Sequence, residues 1–348
     1  MNDSALRTLS LSSDYMDGAH PLVLDALVKS NLERTPGYGE DRYTAEAAQL
    51  IRQAVNNPDA DVFLLCGGTQ TNATVLGALL APYQGVLAAE SAHIALHEAG
   101  AIEHGGHKVI ALPAQDGKIS SASVKAALDS YLGDETREHT VMPGAVYISQ
   151  PTELGTLYSL SELNELRRLC DHYHISLYVD GARLAYALAC PENTVSLPAL
   201  ASLADAFYIG GTKCGALFGE AVVLKQKNLI PHFFSIIKQN GALLAKGRLL
   251  GIQFKALFTG HLYEKIGENA IIQAERLREG LRAKGYSLRV NSPTNQVFIQ
   301  LHEAQYRQFS AAGIGGFWSY DGNDLFTLRF VTSWSTRADE IDTALALL

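Results

Sequence analysis

An open, mostly parallel α/β sheet followed by a smaller α+β unit is the fold class that this 348-residue sequence predicts. Three observations carry it. Short continuous apolar runs recur between residues 62 and 224, as expected of strands covered on both faces. Longer helix-patterned stretches separate them, so that strand, helix and strand alternate. After about residue 230 the pattern changes to amphipathic helix and half-buried strand.

Taken in order, residues 1–13 form an N-terminal arm without an apolar stretch flanked by positive charge, which predicts no secretory signal. Residues 21–32 and 44–55 read as helices around the loop Thr35-Pro36-Gly37-Tyr38-Gly39-Glu40-Asp41. Val62-Phe63-Leu64-Leu65-Cys66 is the first buried strand, and Gly67-Gly68-Thr69-Gln70-Thr71-Asn72 leads from it into a helix over 73–80. Further strands are predicted at 85–89, 108–112, 145–150, 176–179, 206–209 and 221–224. A helix over 161–172 starts at a capping serine and repeats leucine at 163, 166 and 169. A long helical stretch over 241–257 reads as the hinge, dividing the chain into a large unit, 14–240, and a small one, 241–348. In the small unit 269–284 is an amphipathic helix, 287–290, 296–301 and 325–331 are strands, and 336–348 closes as a capped helix.

Composition excludes several classes of partner. The formal charge of -8 gives no global attraction to phosphate backbones or anionic lipid, and no apolar stretch approaches the ~18 residues of a membrane span. Cys66, Cys170, Cys190 and Cys214 form no CxxC pair, which argues against a zinc knuckle and a disulfide framework and predicts a cytoplasmic chain. His93 and His97 are four apart, but an HExxH motif starting at His97 needs histidine where Ala101 stands, so no metal is expected. Thirty glycines are the conspicuous count, and their placement is informative.

Three constellations lie at the ends of predicted strands. Gly67-Gly68-Thr69 joins a strand to a helix, where free backbone N–H groups and the helix dipole favour an anion. It lacks GxGxxG and GK[ST] spacing, so a small phosphorylated cofactor fits it better than a dinucleotide; it also reads as a plain turn. Asp180, in Val179-Asp180-Gly181-Ala182-Arg183, ends a buried strand, where a carboxylate needs a partner. It suits a protonated ring nitrogen such as that of pyridoxal phosphate, or else caps a helix or pairs with Arg183. Lys213, in Gly210-Gly211-Thr212-Lys213-Cys214-Gly215, suits a Schiff base with a carbonyl, or is a surface lysine in a turn. The three occur together in chain order, which favours the functional reading of each.

On these residues the sequence resembles the low-specificity threonine aldolases, aspartate-aminotransferase-like pyridoxal-phosphate enzymes related to the aromatic amino acid β-eliminating lyases. The resemblance spans nearly the whole chain and implies a seven-stranded sheet in the large unit. Asp180-Gly181-Ala182-Arg183 matches its most specific motif, which implies that Asp180 binds the pyridine nitrogen and Arg183 contacts the phenolic oxygen side. Lys213 takes the Schiff-base position, Gly68-Thr69 the phosphate turn, and Glu90-Ser91-Ala92-His93-Ile94 the segment whose histidine stacks on the ring. His97, one turn on, reads as a lining or structural group. Ser13-Asp14 and Leu328-Arg329-Phe330-Val331-Thr332 resemble segments whose serine and arginine hold the substrate carboxylate, and Tyr38-Gly39-Glu40-Asp41 an active-site loop. The chain departs from the pattern in Gln150-Pro151-Thr152-Glu153, where many relatives have a histidine, and in lacking an obvious phosphate-binding arginine. Lys246, in preference to Arg248, is the expected substitute, reaching a neighbouring subunit's site.

The implied function is cleavage of threonine, allo-threonine or phenylserine-type β-hydroxy-α-amino acids to glycine and an aldehyde. Lys213 is the attachment point, Asp180 the keeper of the ring proton and His93 the base for the β-hydroxyl. Arg329, Ser13 and Tyr38 are the substrate-side residues, in a homodimer or homotetramer with active sites at the interface. A β-eliminating lyase or aminotransferase using the same site is the nearest alternative. A non-catalytic binding protein and a nicotinamide-dependent dehydrogenase are more distant ones, the latter weakened by the missing GxGxxG.

Overall fold

The computed structural model describes residues 9–348, so residues 1–8 of the N-terminal arm lie outside the described residues. The apolar runs of the first two-thirds of the chain form β1 (Asp61–Leu65), β2 (Gln84–Ala89), β3 (Val109–Leu112), β4 (Met142–Ser149), β5 (Ser176–Asp180), β6 (Ala206–Gly210) and β7 (Glu220–Leu224). They make one sheet in the order β1-β7-β6-β5-β4-β2-β3. All neighbours are parallel except β7, which runs antiparallel to both β1 and β6. Every residue of β6 and β7 is buried, which is why these strands are uniformly apolar apart from one acid.

β8 (Gln296–His302), β9 (Gly316–Gly322) and β10 (Leu325–Val331) form a second, antiparallel sheet in the order β8-β10-β9. Its core is built from Val297, Ile299, Leu328, Phe330 and Ile341, closed by Leu11 from the N-terminal segment. Leu11 is tied in through its backbone, donating to the Ile314 carbonyl at 2.6 Å and accepting from Val331 N–H at 2.7 Å. The helix Leu262–Ala283 serves both cores: Leu262 to Ile271 pack on the large sheet, whereas Ala274, Leu277 and Leu281 pack on the small one. No helix among the described residues is long and apolar enough to cross a membrane.

Several local expectations need correction. The helix expected over 73–80 begins at Gly68, because Gly67 is its N-cap and the polar residues after it already form the first turns. The cap of Leu160–Tyr173 is Ser159, paired with Glu162 in a reciprocal capping box, and not Ser161. The expected hinge helix over 241–257 is helical only over Arg248–Leu257. The strand expected over 287–290 reduces to a single bridge between Leu288 and Ile299. β9 was not expected at all: its half-exposed residues and the bulges in its pairing with β10 leave no regular alternation to read.

What positions the functional edge is a contact between backbones. β5 and β6 exit side by side, and a Cβ on Gly181 would stand 2.0 Å from the Tyr208 carbonyl oxygen, one on Gly210 2.2 Å from the Ala182 carbonyl oxygen. Only glycine permits this approach, which brings the residue ending β5 and the loop following β6 together. Gly210→Ala is therefore expected to cost at least about 1–3 kcal/mol in urea unfolding. Gly133→Ala, whose Cβ would meet nothing within 4 Å at an exposed helix end, serves as the neutral control. Equal stability of the two variants would contradict the contact.

Candidate active site

At the carboxyl edge of the parallel strands lies a cavity of about 280 Å³, walled by the Gly67–Thr69 turn, His93, Glu153, Asp180, Arg183 and Lys213. The sequence scatters these residues over some 150 positions; the strand order makes them neighbours. A larger hollow of about 750 Å³, between Leu50, Asn193 and Glu264, lies away from these strand ends. Gly67 caps the helix Gly68–Leu79 without any side-chain hydrogen bond, so the first amides of that helix are left to a ligand in the cavity.

Asp180 ends β5 and is 4% exposed. Its Oδ1 accepts from Tyr208 Oη at 2.6 Å and Ala182 N–H at 2.9 Å, and its Oδ2 from Tyr147 Oη at 2.7 Å and Asn72 Nδ2 at 3.0 Å. Burial pushes this carboxyl up, but His93 and these donors outweigh it and hold it below the ordinary value of 3.8. Arg183 is not its partner. Asn72 also donates to Glu98 Oε1 at 2.7 Å, and the same oxygen pairs with His93 Nδ1 at 2.7 Å. Asp180, Asn72, Glu98 and His93 thus form one hydrogen-bonded chain. His97 is the C-cap of the helix His93–Leu96, its N–H donating to the His93 carbonyl at 2.8 Å, so the two rings are neighbours one turn apart.

Lys213 is carried on the loop after β6, its carbonyl accepting from Tyr186 Oη at 2.5 Å. Burial, and then the Arg183 charge, push its ammonium below the ordinary 10.5, which favours the nucleophilic amine. Arg183 donates bidentately to Asp14, Nε to Oδ2 at 2.7 Å and Nη2 to Oδ1 at 3.0 Å, and Asn295 Nδ2 adds a third bond at 3.0 Å. Asp14 is 3% exposed. Burial raises its carboxyl, yet the charges of Arg183 and Lys213 bring it below the ordinary value.

Arg329 lies on β10 with its guanidinium over the Trp318 ring, 5.1 Å from the centroid. The Trp318 ring is 5.8 Å from His97, which is 5.7 Å from His93, so an aromatic wall runs from Arg329 toward the cavity. Arg329 donates to Gln296 Oε1 at 3.2 Å and to the Ser12 carbonyl at 3.4 Å, and its buried Nε has no partner. The Ser13 hydroxyl is likewise buried and unpartnered. Burial and Arg183 push the Arg329 guanidinium down to about 10, still protonated at neutral pH.

Tyr38 and Lys246 are outside the cavity wall. Tyr38 is 43% exposed, with Lys238 Nζ 4.1 Å from its ring centroid, and its N–H donates to the Ala245 carbonyl at 3.1 Å. Lys246 is exposed on the same packed surface. Arg248, weighed as its alternative, is engaged instead with the carbonyls of Ser30, Asn31 and Glu33.

Sequence reasoning assigned none of these roles to Asp14, Asn72, Glu98, Tyr147, Glu153, Tyr208 or Glu220. Glu153 lines the cavity, its Oε1 accepting from Ser149 Oγ at 2.7 Å and His93 N–H at 3.1 Å, and burial pushes its carboxyl up. Glu220 was legible as an acid heading an apolar strand; the tyrosines look like ordinary core residues.

Residues 11–304 match the beta-eliminating lyase family. A low specificity L-threonine aldolase of Pseudomonas aeruginosa is 30% identical over 340 residues, 96% of this chain and 95% of that protein. A solved structure of Leishmania major threonine aldolase is 39% identical, covers 97% of this chain and 98% of its own, and superposes with a TM-score of 0.93. An aspartate aminotransferase of Thermus thermophilus shares the fold, with a TM-score of 0.73 at 17% identity over 99% of this chain and 91% of its own.

Asp14→Asn leaves Arg183 buried without its counter-charge, and a loss of about 3–5 kcal/mol is expected by urea unfolding. Because the folded-state pKa of Asp14 is depressed, its contribution is present above the ordinary 3.8 and is lost as pH falls through the lower folded value. The variant should therefore lack part of the acid-side fall in stability; an unchanged acid limb would argue against this pair as its source.

Proposed function

The chain belongs to the beta-eliminating lyase family, and on that premise we propose that it is a carbon–carbon lyase that cleaves threonine-type β-hydroxy-α-amino acids to glycine and an aldehyde, with pyridoxal phosphate as cofactor. The observation that carries this reading is the meeting of Lys213, Asp180 and the Gly67–Thr69 turn around one cavity of about 280 Å³. The donor set fits the cofactor group by group. Uncapped helix amides suit its phosphate, an amine of lowered pKa suits its carbonyl, and a carboxylate held ionised suits its ring nitrogen. When bound, the cofactor supplies the electron sink for the pair left at Cα on bond cleavage.

The protein's own groups then divide the work. Lys213 Nζ is the covalent attachment point. Asp180 accepts a hydrogen bond from the ring N–H and keeps that nitrogen protonated. His93 would pack on the ring, and because Glu98 engages its Nδ1, Nε2 is the nitrogen left to take the β-hydroxyl proton. Arg329 Nε and Ser13 Oγ, both lacking partners, are the donors for the substrate carboxylate. Held there, the substrate has its Cα–Cβ bond oriented for cleavage. Arg183, pinned by Asp14, presents positive charge to the cavity, where it would face the phenolic oxygen side of the cofactor.

A homo-oligomer with sites at its interfaces belongs to the same reading. Leu22, Leu24, Val28 and Leu32 are more than half or about half exposed, an apolar face that suits a second copy. The segment 245–248 packs beside it through Arg248, so Lys246 and Tyr38 are available to complete a neighbour's phosphate and substrate contacts. The four free cysteines support a reducing, cytoplasmic setting.

Purified protein should be yellow, and incubation with threonine should release glycine and acetaldehyde. 2-Oxobutyrate with ammonia would instead favour elimination, as the family name admits. Lys213→Ala should lose the covalent cofactor absorbance and reduce turnover to background. Arg329→Leu removes a charge-assisted contact worth about 1.5–3 kcal/mol, so KM for threonine should rise roughly ten- to a hundredfold. A colourless wild-type protein that takes up no pyridoxal phosphate would end the reading. For the shared site, mixing Lys213→Ala with Lys246→Ala should restore activity that neither variant has alone; no restoration on subunit exchange would place Lys246 outside the neighbour's site.

A further inference from the structure

Because β7 runs against its neighbours, its first residue stands at the edge where the parallel strands end. That residue is Glu220, in register with Leu65 on one side and Gly210 on the other. It therefore lies between the glycine turn 67–69 and the lysine loop, and it lines the cavity with both. The side chain is 3% exposed and its hydrogen-bond partners are neutral. Gly211 N–H donates to Oε2 at 3.0 Å and Thr212 Oγ1 to Oε1 at 2.8 Å. Thr212 Oγ1 also accepts from Gly219 N–H at 3.0 Å and lines the cavity itself.

An ionised carboxylate in this place would repel the anion that the turn is built to hold. A protonated one reverses the Thr212 bond. A hydroxyl has two acceptor sites and one hydrogen. If Glu220 donates from Oε1, Thr212 accepts from Glu220 and Gly219 N–H, and its own hydrogen, otherwise left with only the long 3.5 Å contact to the Gly219 carbonyl, is free to turn toward an anion in the cavity. Resting on the reading of this cavity as a pyridoxal phosphate site, we propose that Glu220 is a positioning acid of the phosphate subsite, which in its protonated form aims the Thr212 hydroxyl at the bound phosphate.

The surroundings agree with a neutral acid. Burial pushes Glu220 up to about 8 even though the Thr212 and Gly211 hydrogen bonds and the Lys213 charge pull it down, with Asp180 adding a smaller upward push. The other titratable groups facing it are Tyr178, Tyr208, Tyr263 and Cys214, each driven up by burial and so uncharged over this range. A neutral carboxyl kept for hydrogen bonding is an established use of a buried acid.

Phosphorus NMR of the cofactor-loaded protein tests this without recourse to turnover. The ester's own second ionisation is near pH 6, so from about pH 7 to about 9.5 the phosphate is a dianion throughout. The wild-type bound resonance is expected to shift as Glu220 ionises and the Thr212 hydrogen turns back, with a midpoint at or above pH 8 because the bound phosphate pushes the carboxyl further up. Glu220→Gln, whose amide still donates to Thr212, and Thr212→Val, which has no hydroxyl to turn, should each abolish that shift. A wild-type resonance that stays fixed, or a shift that persists in either variant, overturns the proposal. A sample with no protein-bound phosphorus signal overturns the cofactor reading itself and this proposal with it, an outcome distinct from a bound signal that does not titrate.

Discussion

A carboxylate taken out of water at the end of a β-strand must be given hydrogen bonds, and Asp180 draws much of the surrounding structure into supplying them. Its four donors come from different parts of the chain: Tyr147 on β4, Tyr208 on β6, Ala182 just after β5 and Asn72 on the helix behind the glycine turn. Satisfying Asp180 therefore sets the spacing of three adjacent strands and the seating of that helix. Since the helix also offers its N-terminal amides to the cavity, the buried carboxylate and those amides are placed by the same contacts. The chain of bonds continues through Asn72 to Glu98 and His93, so the imidazole is oriented from the same anchor.

Charge around the cavity is balanced by pairing and by neutralisation in different places. Arg183 is neutralised by Asp14, which arrives from the N-terminal segment that Leu11 anchors to the second sheet. The clamp thus links the two cores directly at the site. Arg329 retains an unpartnered donor, which is costly unless a ligand supplies the acceptor. Glu153 and Glu220 are buried without a basic hydrogen-bond partner, and burial pushes both carboxyls up, Glu220 to about 8, which weakens the negative charge set around the cavity.

The large sheet was readable because strands covered on both faces leave continuous apolar runs, and because glycines punctuate their ends. Reading was poorer where burial is one-sided or irregular. β9 is half exposed and bulged, and residues 287–290 contribute only one bridge, so neither follows the alternation that a sequence argument uses. Gly68, Thr69, His93, Asp180, Arg183 and Lys213 were named from strand ends and motifs, and the fold gathers them around one cavity. Tyr38 and Lys246 were named from the family pattern alone, and within one chain they stand apart from it.

By itself, then, the sequence determined the α/β class, the strand ends at which chemistry is concentrated and the residue types present there, because those follow from local periodicity and from the conformational demands of glycine. Only the tertiary structure decided the pairings. Arg183 could have met Asp180 three residues away; it meets Asp14, 169 positions distant in sequence. Glu220 reads as the acid just ahead of an apolar strand, and only the antiparallel insertion of β7 places it beside the glycine turn 67–69. Contacts of this kind depend on strand order and direction, which are properties of the assembled sheet and leave no mark in any short stretch of chain.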